Sequence, residues 1–152
     1  CELGGVLKNI IAIAVGLGDG LGAGDNTRAA LITRGLAEVT RLGTALGGRA
    51  ETFAGLAGMG DMIATCTSEQ SRNRHVGLEL AKGRSVSEIT NAMNMVAEGV
   101  KSAATVVSLA NQYEIEVPIC GEIHRILAGQ ADATRVYRGL LRVVAGTESE
   151  PG

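Results

Sequence analysis

Apolar residues recur along most of the chain at the spacing of one face of an α-helix. In residues 2–17 they occupy nearly every side, which predicts a first helix that is buried all round. Further helices are predicted over residues 27–46, 51–57, 72–81, 85–95, 99–112, 118–127 and 132–144. Only residues 115–117 alternate in the manner of a strand. The pattern therefore predicts an all-α, multi-helix domain over residues 1–145, followed by a polar tail over 146–152.

Residues with capping preferences mark several of the predicted helix ends. Asp25 or Asn26 is expected to cap the second helix, and Gly47 is expected to close it. The sequence SVSE at 85–88 matches a capping box, and Pro118 suits the first turn of a helix. These local signals support the boundaries that the periodicity predicts.

The stretch GLGDGLGAGDN, residues 16–26, raises the question of a nucleotide-binding loop. It lacks the G-x-G-x-x-G spacing and follows a helix rather than a strand, whereas the dinucleotide fingerprint needs a strand before the turn. Asp19 and Asp25 also lack the alternating oxygen ligands of a calcium loop. We interpret the stretch as a flexible connection between two helices.

Composition narrows the class of protein. The 152 residues suit one domain with a substantial core, and the net charge of −2 argues against a broad nucleic-acid surface. The longest apolar stretch, residues 10–17, is too short to span a bilayer. Because an apolar helical pattern begins within a few residues of Cys1, we expect the chain to be a fragment of a longer protein.

The cysteines and histidines show no metal-binding pattern. Cys1, Cys66 and Cys120 have neither CxxC nor metal-ligand spacing, so free buried thiols in a reducing cytoplasm are expected. His75 and His124 lie far apart without ligand partners nearby in sequence. No metal site is predicted.

A lysine and an aspartate stand out as candidates for proton chemistry. Lys8 lies at the centre of the apolar first helix, so it must extend to solvent, pair with a carboxylate or point into a polar cavity. Desolvation can bring such a lysine into range as a general acid or base. Asp61 follows Gly58 and Gly60, which are expected to let the backbone turn tightly and present the carboxylate.

The sequence SRNR, residues 71–74, directly precedes a predicted helix. The N-terminal amides of a helix and the guanidinium of Arg72 together suit a phosphate or a carboxylate. The alternative interpretation is that Ser71 is only an N-cap and that Arg72 and Arg74 are both solvated. Together with the two groups above, the segment forms a candidate site for a small anion.

Three stretches together resemble the C-terminal domain of bacterial NAD(P)-dependent glycerol-3-phosphate dehydrogenases. They are ELGGVLKNIIAIAVGLGDGLGAGDNTRAALITRGLAEVTRLG, GLAGMGDMIATCTSEQSRNRHVG and MVAEGVKSA, and the resemblance covers residues 2–128. It implies a helical substrate domain of the type that follows a Rossmann domain in glycerol-3-phosphate and 6-phosphogluconate dehydrogenases. The implied reaction is reversible hydride transfer between NADH or NADPH and dihydroxyacetone phosphate, which gives sn-glycerol 3-phosphate.

The resemblance also implies roles for individual residues. Lys8 matches the catalytic lysine, which donates a proton to the C2 oxygen of the substrate as hydride arrives at C2. The residues that match substrate contacts are Lys8, Asp61, Ser71, Arg72 and Asn73. The residues that match cofactor contacts are Arg72, Val96 and Glu98. Asn9 and Thr65 lie beside motif residues and are expected to support them.

The resemblance implies a setting for the domain as well. NAD or NADP is expected to bind mainly to an N-terminal Rossmann domain upstream of Cys1, together with a second lysine, so the chain alone is expected to be inactive. The missing half is expected to set the preference between NAD and NADP. The resemblance further implies a cytoplasmic enzyme that feeds glycerophospholipid synthesis, with a homodimer as a plausible assembly.

Two other functions fit the same residues. One is the helical domain of a β-hydroxyacid-type dehydrogenase, which would reduce a carboxylate substrate, although the SRNR cluster after GxGD favours a phosphate ester. The other is a non-catalytic helical dimerisation or interaction module, in which Lys8 and Arg72 are incidental. Replacing Lys8 in the complete enzyme separates an enzyme, which would lose turnover, from the non-catalytic module, which would lose no activity.

Overall fold

The protein folds into α-helices throughout the part of the chain that its computed structural model describes, residues 2–93 and 97–149. The helices are α1 Glu2–Gly20, α2 Asp25–Ala45, α3 Ala50–Ala54, α4 Leu56–Thr67, α5 Arg72–Ala81, α6 Val86–Ala92, α7 Glu98–Gln112, α8 Pro118–Leu127 and α9 Ala133–Ser149. The all-α prediction is confirmed, and the alternating residues 115–117 form no strand. No helix in the described ranges has both the length and the apolar character needed to cross a membrane.

Helix α1 is the centre of the fold. Ile10, Ile11, Ala12 and Ile13 are fully buried although these successive residues point to different sides of the helix. Helices α2, α4, α5, α7 and α8 all pack against α1. The all-round apolar pattern arises because α1 is surrounded, and the helix offers its neighbours a fixed central axis.

The predicted flexible connection is wrong for residues 16–20, because α1 continues to Gly20. A Cβ at Gly16 would lie 2.1 Å from the carbonyl oxygen of Arg74, and a Cβ at Gly77 would lie 2.1 Å from the carbonyl oxygen of Ile13. These glycines let the backbones of α1 and α5 touch. The short connection that remains bends at Gly22, whose φ of +86° favours glycine.

The predicted turn before Asp61 is also wrong, because Gly58 and Gly60 lie inside α4. The predicted helix over 51–57 instead breaks at Gly55, which ends α3 and caps α4 in an extended conformation. A Cβ at Gly58 would lie 2.2 Å from the carbonyl oxygen of Phe53. Gly58 therefore allows a close approach of two helices, and Asp61 projects from a helix rather than from a turn.

The structure confirms some of the predicted helix caps and contradicts others. The N-cap half of the capping box is confirmed, since Ser85 Oγ accepts the backbone N–H of Glu88 at 3.1 Å, while the Glu88 carboxylate accepts from the Ser85 hydroxyl instead of its backbone N–H. That helix ends at Ala92, before the predicted end at residue 95. The cap of α2 was predicted wrongly, since Gly24 takes the N-cap position in an extended conformation.

A buried carboxylate that the sequence analysis missed caps α8. Glu38 on α2 accepts the backbone N–H groups of Ile119 and Cys120 at 2.8 and 3.1 Å. Burial raises the pKa of Glu38 to about 7, although the two backbone hydrogen bonds favour the charged form. Cys66 and Cys120 are free and buried, as predicted.

Candidate functional site

Lys8 and Asp61 form an ion pair between α1 and α4. The Nζ atom of Lys8 donates to Oδ2 of Asp61. The Lys8 side chain is 17% exposed and that of Asp61 is 59% exposed, so the pair lies at the edge of the core with its carboxylate in solvent. Of the three arrangements open to a lysine in this helix, the chain adopts the carboxylate pair.

The N-terminus of α5 carries unpaired backbone donors. Ser71 is the N-cap, and its Oγ accepts the backbone N–H of Arg74 at 3.1 Å. The N–H groups of Arg72 and Asn73 belong to the first helical turn and have no intrahelical acceptor. The Arg72 side chain is exposed and has no carboxylate within 4.0 Å among the described residues. This helix start therefore combines two amides with an available guanidinium.

Arg74 faces away from that helix start and binds Asp19. Its Nε and Nη2 atoms donate to Oδ2 of Asp19 at 3.2 and 3.1 Å. The interpretation that both arginines are solvated is therefore wrong for Arg74, whose side chain is 17% exposed. Of the two arginines in the SRNR segment, Arg74 has a carboxylate partner among the described residues and Arg72 has none, which sequence alone did not reveal.

Asn73 joins the start of α5 to the start of α7. Its Oδ1 accepts the backbone N–H of Gly99 at 2.9 Å in a buried position. A Cβ at Gly99 would lie 2.9 Å from that oxygen and 3.0 Å from the carbonyl oxygen of Asn9. Three helices therefore meet around the Asn73 side chain, whose amide nitrogen keeps its donors.

An open cavity of about 510 Å³ lies at this junction. Its lining residues are Asn9, Ala64, Thr65, Ser68, Gln70, Ser71, Arg72, Asn73 and Glu98. The predicted site residues outside this list are Lys8, Asp61 and Val96. Lys8 precedes Asn9 on α1, Asp61 lies one turn before Thr65 on α4, and Val96 falls outside the described residues.

The structure adds residues that the sequence analysis did not single out. Ser68 and Gln70 line the cavity from the short connection between α4 and α5, where Ser68 Oγ accepts the backbone N–H of Gln70. Their position just before the SRNR segment is the sequence signal that could have identified them as site residues. In the part of the chain that the structure describes, no group of three His, Cys, Asp or Glu residues could hold a metal ion.

Fold and site together define an all-α domain with a lysine–carboxylate pair between α1 and α4 and a cationic helix terminus at the start of α5. The chain belongs to the family of NAD-dependent glycerol-3-phosphate dehydrogenase C-terminal domains, whose family model matches residues 1–138. The family match and the fold confirm the resemblance seen in the sequence.

Named relatives agree with this family. The chain is 66% identical over 152 residues to glycerol-3-phosphate dehydrogenase (NAD(P)+) 2 of Sphingopyxis alaskensis, covering 100% of the chain and 46% of the relative. It is 52% identical to the Rhodospirillum rubrum enzyme, covering 98% and 44%. The chain thus spans less than half the length of these relatives.

Solved structures agree as well. The crystal structure of glycerol-3-phosphate dehydrogenase from Coxiella burnetii superposes with a TM-score of 0.87 at 47% identity, covering 92% of the chain and 43% of that protein. A Dunaliella salina structure superposes with a TM-score of 0.76 at 29% identity, covering 90% of the chain and 25% of that protein. The helical arrangement is therefore shared with experimentally solved members of the family.

Proposed function

We propose that this chain is the substrate-binding domain of an enzyme that interconverts dihydroxyacetone phosphate and sn-glycerol 3-phosphate with NAD(H) or NADP(H). The observation that carries the proposal is the position of the Lys8–Asp61 pair beside a cavity lined by the start of α5. A proton donor on the residue before Asn9 and an anion site in the cavity that Asn9 lines suit a small phosphorylated ketone. The family membership of the chain supports the same reaction.

The start of α5 binds the phosphate in this proposal. The N–H groups of Arg72 and Asn73 and the amide nitrogen of Asn73 offer neutral donors, and the Arg72 guanidinium offers a charged, planar fork. A phosphate dianion accepts from several such donors at once. Ser71 contributes by holding the helix start in place through its cap.

Lys8 transfers the proton in this proposal. In the reductive direction its ammonium group donates a proton to the C2 oxygen while hydride adds to C2, so the ketone becomes a secondary alcohol. In the oxidative direction neutral Lys8 accepts that proton. Asp61 orients the ammonium group by accepting its hydrogen bond. Asn9 and Thr65 support this end of the cavity from α1 and α4.

The residues present fit one edge of a nicotinamide cofactor. Arg72 and Glu98 line the same cavity from α5 and α7, whereas the glycine-rich residues 16–20 lie inside a helix and make no phosphate cradle. When bound, the cofactor supplies or accepts the hydride. We propose that an adjoining Rossmann domain provides most of the cofactor-binding site and that Val96 of this chain is a further contact. We predict that the 152-residue chain alone is inactive.

The cellular role follows from the same proposal. sn-Glycerol 3-phosphate is the backbone from which glycerophospholipids are built, so the reductive direction would feed their synthesis. The free thiols of Cys66 and Cys120 suit a reducing cytoplasm. Leu56 is 94% exposed, and an apolar side chain so placed suits an interface with a second copy or with another domain.

The test uses a full-length chimera in which this chain replaces the matching part of the Sphingopyxis alaskensis relative. Oxidation of NADH and of NADPH is followed with dihydroxyacetone phosphate. Lys8→Ala is expected to lower kcat about a hundredfold or more. Arg72→Ala is expected to raise KM roughly thirtyfold, since a charge-assisted contact to phosphate is lost.

Matched controls show that these losses belong to the site. Lys82→Ala and Arg138→Ala remove exposed cations away from the cavity and are expected to leave both constants unchanged. Reduction of a 3-carbon β-keto acid in place of the phosphate ester would support the β-hydroxyacid alternative. Full activity of the Lys8 and Arg72 variants would contradict the proposed roles and favour a non-catalytic module.

A further inference from the structure

Asp19 binds two arginines near the C-terminal end of α1. Its Oδ2 accepts from Nε and Nη2 of Arg74 at 3.2 and 3.1 Å, and its Oδ1 accepts from Nε of Arg28 at 3.0 Å. The Asp19 side chain is only 7% exposed. Two guanidinium partners compensate the cost of burying the Asp19 carboxylate, and each guanidinium is held in place by the negative charge of that carboxylate.

The contact with Arg74 lies where the backbones of α1 and α5 touch. Gly16, one turn before Asp19, has no room for a Cβ because the carbonyl oxygen of Arg74 would be 2.1 Å away. Gly77 meets the carbonyl oxygen of Ile13 in the same way. Arg74 is thus held on α1 by its backbone through close packing and by its side chain through Asp19.

Arg74 belongs to the first turn of α5, which carries Arg72 and Asn73 at the cavity. Lys8 lies on α1 itself, and the eleven residues from Lys8 to Asp19 span about 16 Å of helix. One rigid helix therefore bears the proton-transfer group near its middle and the anchor of the anion-binding turn near its C-terminal end.

We propose that Asp19 is a positioning residue for the substrate anion, acting through Arg74. The proposal rests on the proposed function and adds a residue to it. The Asp19 carboxylate keeps the Arg74 guanidinium on α1 and out of the cavity, and it fixes the turn whose amides and Arg72 meet the phosphate. Arg28 also contacts Asp25, whereas Arg74 pairs only with Asp19 among the described residues, so loss of the Asp19 charge releases Arg74 and the first turn of α5 shifts.

The test replaces Asp19 in the full-length chimera and measures two constants for the anion. In Asp19→Asn, KM for dihydroxyacetone phosphate and the competitive inhibition constant of inorganic phosphate are expected to rise about tenfold. The kcat value is expected to stay within about threefold, because the Lys8–Asp61 pair joins α1 and α4 and does not involve α5. Asp25→Asn is the matched control, since Asp25 is 98% exposed and contacts Arg28 at 3.7 Å.

If Asp19 acts through its charge, Asp19→Asn weakens phosphate binding more than Asp19→Glu does. If Asp19 acts through its packing, the order of the two variants is reversed. Asparagine has the shape of aspartate without the charge, whereas glutamate keeps the charge and adds a methylene. Positioning by charge predicts that Asp19→Glu raises the phosphate inhibition constant less than Asp19→Asn does. The reverse order, or an unchanged constant in Asp19→Asn, would overturn the inference.

Three further experimental outcomes each have a distinct interpretation. If Asp19→Asn does not fold, Arg74→Lys tests the same contact, because it keeps the positive charge but loses the fork, and an unchanged phosphate inhibition constant there would overturn the inference. An unmutated chimera without activity on dihydroxyacetone phosphate would overturn the proposed function, and the positioning role with it. An active parent with unaffected Asp19 and Arg74 variants would overturn the positioning role alone.

Discussion

Gly99 donates its backbone N–H to Oδ1 of Asn73 at 2.9 Å, and this single bond links the start of α5 to the start of α7, which bears Glu98. The bond fixes the amide of Asn73 with its nitrogen left as a donor. It also requires glycine at position 99, because a Cβ would lie 2.9 Å from that oxygen.

Gly99→Ala is therefore expected to displace the Asn73 side chain and raise KM for the phosphate substrate about tenfold. Steady-state kinetics of the full-length chimera measure the effect. Gly121→Ala is the control, since a Cβ at Gly121 on α8 meets nothing within 4 Å. Equal kinetics for both variants would mean that the Asn73–Gly99 bond does not shape the site.

Gly16→Ala is expected to destabilise the chain by about 2 kcal/mol, because the new methyl group would strike the carbonyl oxygen of Arg74 and push α5 away from α1. Gly5→Ala on the same helix meets no atom within 4 Å and is expected to be neutral or to stabilise by up to about 1 kcal/mol. Urea denaturation of the 152-residue chain measures both. A Gly16→Ala variant as stable as Gly5→Ala would contradict the tight contact.

The pH dependence of stability is expected to carry the signature of Glu38. Burial raises its pKa from 4.5 to about 7, so the folded state holds a proton that the unfolded state releases over this interval. The free energy of unfolding therefore falls as pH rises from about 4.5 to about 7, by roughly 3 kcal/mol, and levels off above that range.

Denaturation of the parent and of Glu38→Gln from pH 4 to 8 isolates this contribution as the difference between the two curves. Glutamine does not titrate, so the variant is expected to lose the slope. Glu69→Gln changes an exposed carboxylate and should keep the slope of the parent. A Glu38→Gln curve parallel to that of the parent would show that Glu38 does not titrate in this range.

Cys66 is expected to resist thiol reagents in the folded chain. The side chain is fully buried, and burial raises its pKa to about 12, so little thiolate forms at pH 8. In a Cys1→Ser variant, Cys66 and Cys120 should react with a thiol reagent only as fast as the chain unfolds. Rapid labelling before unfolding, followed by mass spectrometry, would contradict the burial of these thiols.

The positions of most helices could be predicted because helical periodicity and caps are local signals. The predicted α5 and α8 match the structure at both ends, and Ser85 and Pro118 act at the helix starts as their residue types suggest. The residues of the candidate site were singled out through resemblance and local chemistry. Lys8 and Asp61 pair between α1 and α4, outside the lining of the cavity. The candidate residues within that lining are Asn9, Thr65, Ser71, Arg72, Asn73 and Glu98.

The amino-acid sequence by itself determined the helical class, the buried character of α1 and the chemical groups available for a site. Only the tertiary structure decided that the glycines at 16, 18 and 20 stay helical. Gly16 and Gly20 allow α5 to approach α1, and Gly18 lies against Tyr137 of α9 and Leu31 of α2. It also decided which partner each charge takes: Asp19 meets Arg74 across 55 positions, and Glu38 meets Ile119 across 81. Periodicity acts within a few turns, whereas ion pairs and backbone contacts between helices depend on distances that only the folded packing sets.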